Sequence, residues 1–377
     1  MTTPEQTSTP SPAVGSDEPS AGQPVGAGRT RGERATLGSV AARAGVSRQT
    51  VSNVLNSPGR VRPATREKVQ RAIAELAYRP HASARRLRTQ KSSTIGIRLD
   101  PMTDGISGSV LDRFLHALTE QADAKRLRVL LFTAKDPDDE ILQFRRLTAG
   151  ADVDAFVLTS TFHGDPRTEW LIENGIPFVT FGRPWGIDDM NDPKHLWVDV
   201  DGYSGLREAT THLLAGGLRR IGYIGWPSPS GTGDDRRRGW REAMTEAGWS
   251  ESGLAPLQVA TEEGVAQGAD ALRRLEAAAE GGLDAVVCAS DSLALGALIT
   301  ARGRMPVVGY DNTPIAASLG FSSVEQPLDK VAEGILELLT GAHGGRVSRD
   351  GERVTDPRHR LIAPRLVVRD APVLSGG

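Results

Sequence analysis

The chain has 377 residues, enough for two or three domains with a sizeable core, and its 38% hydrophobic share is ordinary for a globular protein. No apolar run approaches a membrane span, and one cysteine excludes an internal disulfide framework or a cysteine-cluster metal site. The net charge of −2 hides a segregation: Arg29 to Lys91 carries 15 Lys and Arg against 3 Asp and Glu, whereas the rest carries 30 against 44. A basic block on an acidic body suits a polyanion-binding module joined to a body that does not bind polyanions.

Residues 1–35 are rich in Pro, Ser, Thr, Gly and Ala, so a disordered extension is expected. Their start has neither the basic head nor the apolar core of a secretory signal, and the chain reads as cytoplasmic. Residues 36–78 read as three short helices. Thr36 can cap LGSVAARA, Gly45 ends it, and Ser47 can cap the next. The third is expected from about Pro63 to Leu76, with Val69, Ala72, Ile73 and Leu76 on one face.

The second of these helices lies in GVSRQTVSNVLN. On a helix, Val51, Val54 and Leu55 share a face that can pack on Leu37, Val40 and Ala41, while Arg48, Gln49, Ser52 and Asn53 share the opposite one. Arginine in a first turn works against the helix dipole, so a purely structural helix is poorly served by it. In a helix-turn-helix that turn points into the DNA major groove, where Arg can bond guanine and Gln can pair with adenine. Thr50 and Ser52 suit phosphate or methyl contacts.

TLGSVAARAGVSRQTVSNVLN, followed by VRPATREKVQRAIAELAYRPHASARRLRTQKSSTIGI, resembles the start of the LacI/GalR family of bacterial transcription regulators. The resemblance covers about residues 36–370 and is most specific over the first sixty of these. It implies a helix-turn-helix domain over 36–80, with Arg48 and Gln49 as base readers, Thr50 and Asn53 nearby, and Ser47 and Ser52 on phosphates. It further implies a homodimer on a palindromic operator. Two-fold symmetry doubles the few base pairs that one small unit reads.

Residues 81–91, including HASARRLR, join this domain to the rest. So short a helix is unstable alone in water, and Arg85 and Arg86 can draw it onto DNA. The resemblance makes it a hinge helix, with Leu87 as a minor-groove wedge.

From Thr94 onward, strand-like runs (TIGIRL, RVLLFTA, AFVLTS, PFVTFG, RIGYIGW, DAVVCAS, MPVVGYD) alternate with helical patterns. This is an α/β pattern of doubly wound parallel sheets, long enough for two lobes. Cys288 in DAVVCAS reads as a small core hydrophobe. The resemblance implies a two-lobed sensor over 92–370, akin to periplasmic binding proteins, with 371–377 as a tail. The first lobe is expected over about 92–200 and 326–342, the second over about 201–325 and 343–370. No heptad tail follows to support a dimer of dimers.

Binding sites in such sheets lie beyond the carboxyl ends of the strands. Arg183, Ser290, Asp291 and Asp311 follow strand-like runs, and Arg236 lies in GTGDDRRRGW. By resemblance Arg236, Asp311 and Ser290 grip the effector, although Ser290 stands where the family often has asparagine. Paired donors and acceptors of this kind suit vicinal sugar hydroxyls. Phe181, Trp185 or Trp226 can stack on a sugar's apolar face. Asp291 is read as the cap of SLALGAL, Trp240 as core, and at least one of Arg236, Arg237 and Arg238 as solvated.

GxxxxGK[ST], HExxH and GxSxG are all absent, so no enzyme, cofactor or metal is expected. The reading is a DNA-binding repressor of carbohydrate-utilisation genes whose operator binding is coupled to a small-molecule, sugar-like effector. Its rivals are a regulator answering a purine or a phosphoprotein, and a sugar-binding protein with a basic appendage.

Overall fold

The computed structural model describes residues 35–78, 92–100, 108–187, 189–341 and 358–369. The chain divides into two compact units, Met1–Arg85 and Arg86–Gly377. The expected disordered extension and the hinge with Arg85, Arg86 and Leu87 lie outside the described residues.

The first unit is three helices. In α1, Leu37–Ala44, Thr36 and Ser39 cap each other reciprocally, and Gly45 closes the helix at φ 65°, where a side chain would be strained. Ser47 Oγ caps α2, Arg48–Asn56, by accepting from the Thr50 amide. α3, Pro63–Glu75, starts on proline and stops one residue short of the expected end, with Leu76 as its C-cap. Val40, Val51, Val54, Val69, Ala72 and Tyr78 form its core.

The second unit holds two six-stranded sheets. The first contains β1 (Thr94–Arg98), β2 (Arg128–Phe132), β3 (Ala155–Leu158), β4 (Phe178–Phe181) and β5 (Leu196–Val200), with a sixth strand from far down the chain. α4 (Gly108–Ala124), α5 (Pro137–Ala149) and α6 (Pro166–Glu173) alternate with them. After α7 (Gly202–Ala215) the second sheet begins with β6 (Ile221–Gly225) and α8 (Thr232–Glu246). A single turn, α9 (Glu251–Leu254), precedes β7 (Gln258–Ala260), α10 (Val265–Ala278), β8 (Ala285–Cys288) and α11 (Asp291–Ala301). Then come β9 (Val307–Asp311), α12 (Pro314–Leu319), β10 (Ser322–Glu325), α13 (Leu328–Thr340), β11 (His359–Ile362) and β12 (Arg365–Val367).

Strand order is β11-β5-β4-β3-β1-β2 in the first sheet and β12-β10-β9-β8-β6-β7 in the second. Every pairing is parallel except that of β10 with β12. Each order reverses direction around its first strand, so the strands' carboxyl ends make the binding edge of each lobe. α13 returns to the first lobe, where Val331, Ile335 and Leu336 pack with Ile97, Val179 and Val198. Cys288 and Trp240 are fully buried in the second core, and the Trp240 indole donates to the Ile221 carbonyl.

One expected boundary fails. Residues 343–370 do not belong wholly to the second lobe, because β11 pairs with β5 in the first sheet and only β12 joins the second. Between them Ala363-Pro364 makes a further crossing, and a proline that cannot donate to a ladder breaks one strand into two there.

Candidate nucleic-acid interface and effector cleft

α2 is held by one face and free on the other. Val51 and Val54 are buried against α1 and α3, while Ser47, Arg48 and Gln49 are exposed. Gln49 Nε2 donates to Asn53 Oδ1 at 3.1 Å, and Ser47 Oγ lies 2.9 Å from Thr50 Oγ1. The Arg48 guanidinium lies over α1 at Gly38, where an added Cβ would stand 3.1 Å from Nη2. Glycine therefore leaves room for the guanidinium to lie there. The edge is polar, ordered along one stripe, and backed by apolar packing.

The other constellation gathers at the strand ends of the second unit. Arg236, on α8, donates from Nη1 to the Ala289 carbonyl at 2.5 Å, and its Nη2 is 3.8 Å from Asp311 Oδ1. Its Cζ lies 3.6 Å from the Tyr310 ring centroid and 5.3 Å from that of Trp226. Ser290 Oγ donates to Glu263, which also accepts from Trp226 Nε1 at 2.7 Å. Arg183, after β4, donates to Asp199 at 2.8 Å on its own lobe and to Asp235 at 2.5 Å on the other. Arg113 on α4 likewise reaches across to the carbonyls of Asp311 and Asn312. Arg183, Arg236, Ser290 and Asp311 therefore sit at one edge where the two lobes meet.

The three candidate aromatics separate. Phe181 packs on Phe114 at 4.9 Å. Trp185 is 7% exposed, lies 4.4 Å from the Arg183 guanidinium carbon, and packs on Gly231 so closely that no Cβ fits there. Trp226 is half-buried with its indole edge fixed. Trp185 Nε1, Arg236 Nε and Tyr310 Oη are buried donors without a hydrogen-bond partner among the described residues.

The comparisons with known proteins place both parts of the chain in known families. The model "Bacterial regulatory proteins, lacI family" matches residues 36–81, and "Periplasmic binding protein-like domain" matches 210–371. The HTH-type transcriptional regulator CelR of Thermobifida fusca is 34% identical over 361 residues, covering 90% of this chain and 99% of the relative. The chain belongs to the LacI family. A solved CelR–cellobiose complex is 30% identical with a TM-score of 0.61, covering 90% of this chain and all of that one. The Lac repressor dimer bound to operator and an anti-inducer shares the fold at 21% identity and a TM-score of 0.70, covering 91% of this chain and all of that one. The protein is thus a LacI-type transcriptional regulator and not an enzyme. Among the described residues no helix is long and apolar enough to cross a membrane.

Within this LacI-family sensor, Asp291 does not cap α11. Ser290 does so, accepting from the Leu293 amide, because its side chain stands one residue ahead of the helix. Asp291 is fully buried and accepts from the Thr313 amide and hydroxyl at 2.7 Å and from Ser323 Oγ at 2.6 Å, tying α11 to the segment after β9 and to β10. Of the three adjacent arginines Arg236 is buried, Arg237 pairs with Asp234, and Arg238 is the most solvated although it pairs with Asp235. Sequence reasoning missed Glu263, Tyr310, Asp199, Asp235, Arg113 and Gln326. The first three follow or end strands, a signal that was readable; the others need partners known only from the fold.

Asp311 is buried at φ 109° and accepts from Gln326 Nε2 at 2.6 Å. A non-glycine residue held there stores strain of the kind that collects at functional sites. Burial pushes its carboxyl up to about 7; Asp291 and Glu263 add to the rise, and Arg236 and Gln326 oppose it. The unfolded carboxyl titrates near 3.8, so the folded state keeps a proton that the unfolded state loses as pH rises from about 4 to 7. This group therefore costs stability increasingly through that window, in full above it. Asp311→Asn removes the titration, so its Tm relative to the parent should rise between pH 5 and pH 8. A flat difference in scanning calorimetry would contradict the assignment.

Proposed function

We propose that this regulator is a repressor of carbohydrate-utilisation genes that binds a palindromic operator as a homodimer and is controlled by a sugar in the interlobe cleft. The DNA-binding part spans 36–80, the hinge 81–91 and the sensor 92–370. The edge of α2 supports the DNA role: Arg48 and Gln49 are exposed at its amino end, with Val51 and Val54 anchoring the reverse face. On this reading Arg48 and Gln49 read base edges, with Thr50 and Asn53 beside them, and Ser47 and Ser52 contact phosphates.

The convergence of Arg236, Asp311, Ser290 and the half-buried Trp226 carries the sugar reading. It offers donors, acceptors and an apolar face together, as a sugar ring requires. The solved complex of a 30% identical relative with cellobiose points the same way. Arg183 and Trp185 close the cleft from the first lobe. Because Arg183 bridges to Asp235, a ligand there changes how the lobes are held, and through them the hinges. Linkage is reciprocal: the factor by which the sugar changes operator affinity is the factor by which operator changes sugar affinity, typically about 1–3 kcal/mol.

The test is a thermal-shift panel of sugars and purines, followed by fluorescence anisotropy with a palindromic duplex at several salt concentrations. A sugar should raise the melting temperature and alter duplex affinity, and that affinity should fall steeply with salt. A shift with purines alone, or flat salt dependence, would contradict the proposal. In the same assay Leu87→Ala should weaken operator binding several-fold and leave nonspecific binding nearly intact, since a wedge acts only where the duplex is kinked. Unchanged operator affinity would remove Leu87 from that role.

A further inference from the structure

We propose that Glu263 sets the charge preference of the cleft, admitting uncharged sugars and rejecting carboxylated or phosphorylated ones. The inference rests on the sugar-effector reading above and adds to it the residue that discriminates.

β8, β6 and β7 are neighbours in the second sheet, and Ser290, Trp226 and Glu263 follow their respective carboxyl ends. Glu263 Oε2 accepts from Trp226 Nε1 at 2.7 Å, and Ser290 Oγ lies 2.8 and 2.9 Å from the two carboxylate oxygens. Donors from two different strands thus fix the carboxylate, so it cannot swing away from an incoming group. The same bonds pin the indole by its edge, and Arg236 lies over one of its faces.

An ionised carboxylate only accepts hydrogen bonds. A sugar hydroxyl can donate to it, whereas a ligand carboxylate or phosphate brings like charge and few or no protons. The arginines of the cleft do not offset that repulsion freely. Arg183 is engaged by Asp199 and Asp235, and Arg236 is held by the Ala289 carbonyl and against the Tyr310 ring. Like charges brought together in a partly desolvated site cost enough to set specificity.

The experiment titrates the full-length protein calorimetrically with cellobiose and cellobionate, then with maltose and maltobionate as a second pair. Wild type should prefer the neutral member of a pair it binds by about tenfold or more. Glu263→Gln keeps the shape and an acceptor oxygen but loses the charge, and should shrink that ratio by about tenfold. Glu263→Asp should retain the preference. A wild type that binds the acid as tightly as the neutral sugar overturns the proposal without recourse to any variant. So does a Glu263→Gln protein that binds both members with an unchanged ratio. If no sugar of either pair binds and a purine does, it is the sugar-effector reading itself that fails.

Discussion

Replacing Arg236 with alanine should abolish the sugar response while leaving sugar-free operator binding within about threefold of wild type, because Arg236 belongs to the sensor and not to α2. Arg236 is 5% exposed; its guanidinium donates to the Ala289 carbonyl, faces Asp311 and stacks on Tyr310. Its removal deletes a charged hydrogen-bond donor and leaves Asp311 buried without its nearest cation. A loss of about 3 kcal/mol in sugar binding, roughly a hundredfold, is the expected scale. Arg236→Lys should fall between the two, since an ammonium keeps the charge but cannot reproduce the planar stack and forked donation. Calorimetric titration checks the affinity, and the change in operator affinity on adding the same sugar checks the coupling. Near wild-type sugar affinity in Arg236→Ala would remove this residue from the site.

Replacing Arg48 with alanine should reduce operator affinity by about 10- to 100-fold, the worth of one good base contact. Binding to a scrambled duplex should change far less, because phosphate contacts elsewhere in the basic module supply it. The fold should survive, since Arg48 is exposed and its guanidinium lies over α1 beside Gly38. Equal losses on operator and scrambled duplex would reduce Arg48 to a phosphate contact.

These two residues also mark how far the sequence could be read. α2 was legible because its determinants are local: Gly45 ends one helix, Ser47 caps the next, and the valines fall at helical spacing. The buried Trp240 was legible for the same reason. The cleft was readable only in part. Arg236, Ser290 and Asp311 stand beside strand ends, but the Arg183–Asp235 bridge joins two lobes, and no local pattern reports it. Trp185 and Trp226 look alike in sequence. The fold separates them by packing one against Gly231 and pinning the other to Glu263. Asp291 was misread as a cap because the three groups it satisfies lie 22 and 32 residues away. The last crossing was missed because HRLI and RLV are equally strand-like, and which sheet receives each depends on the edge left open by β5 and by β10.

The most direct test of the central claim, that the edge of α2 reads a two-fold symmetric DNA site under control of the cleft, is selection from a randomised duplex pool by the full-length protein. The account predicts enrichment of a palindromic motif, loss of defined positions in both half-sites when Arg48→Ala replaces the wild type, and altered recovery when the sugar found in the thermal panel is added. No enrichment, or an identical motif from the Arg48→Ala protein, would contradict it.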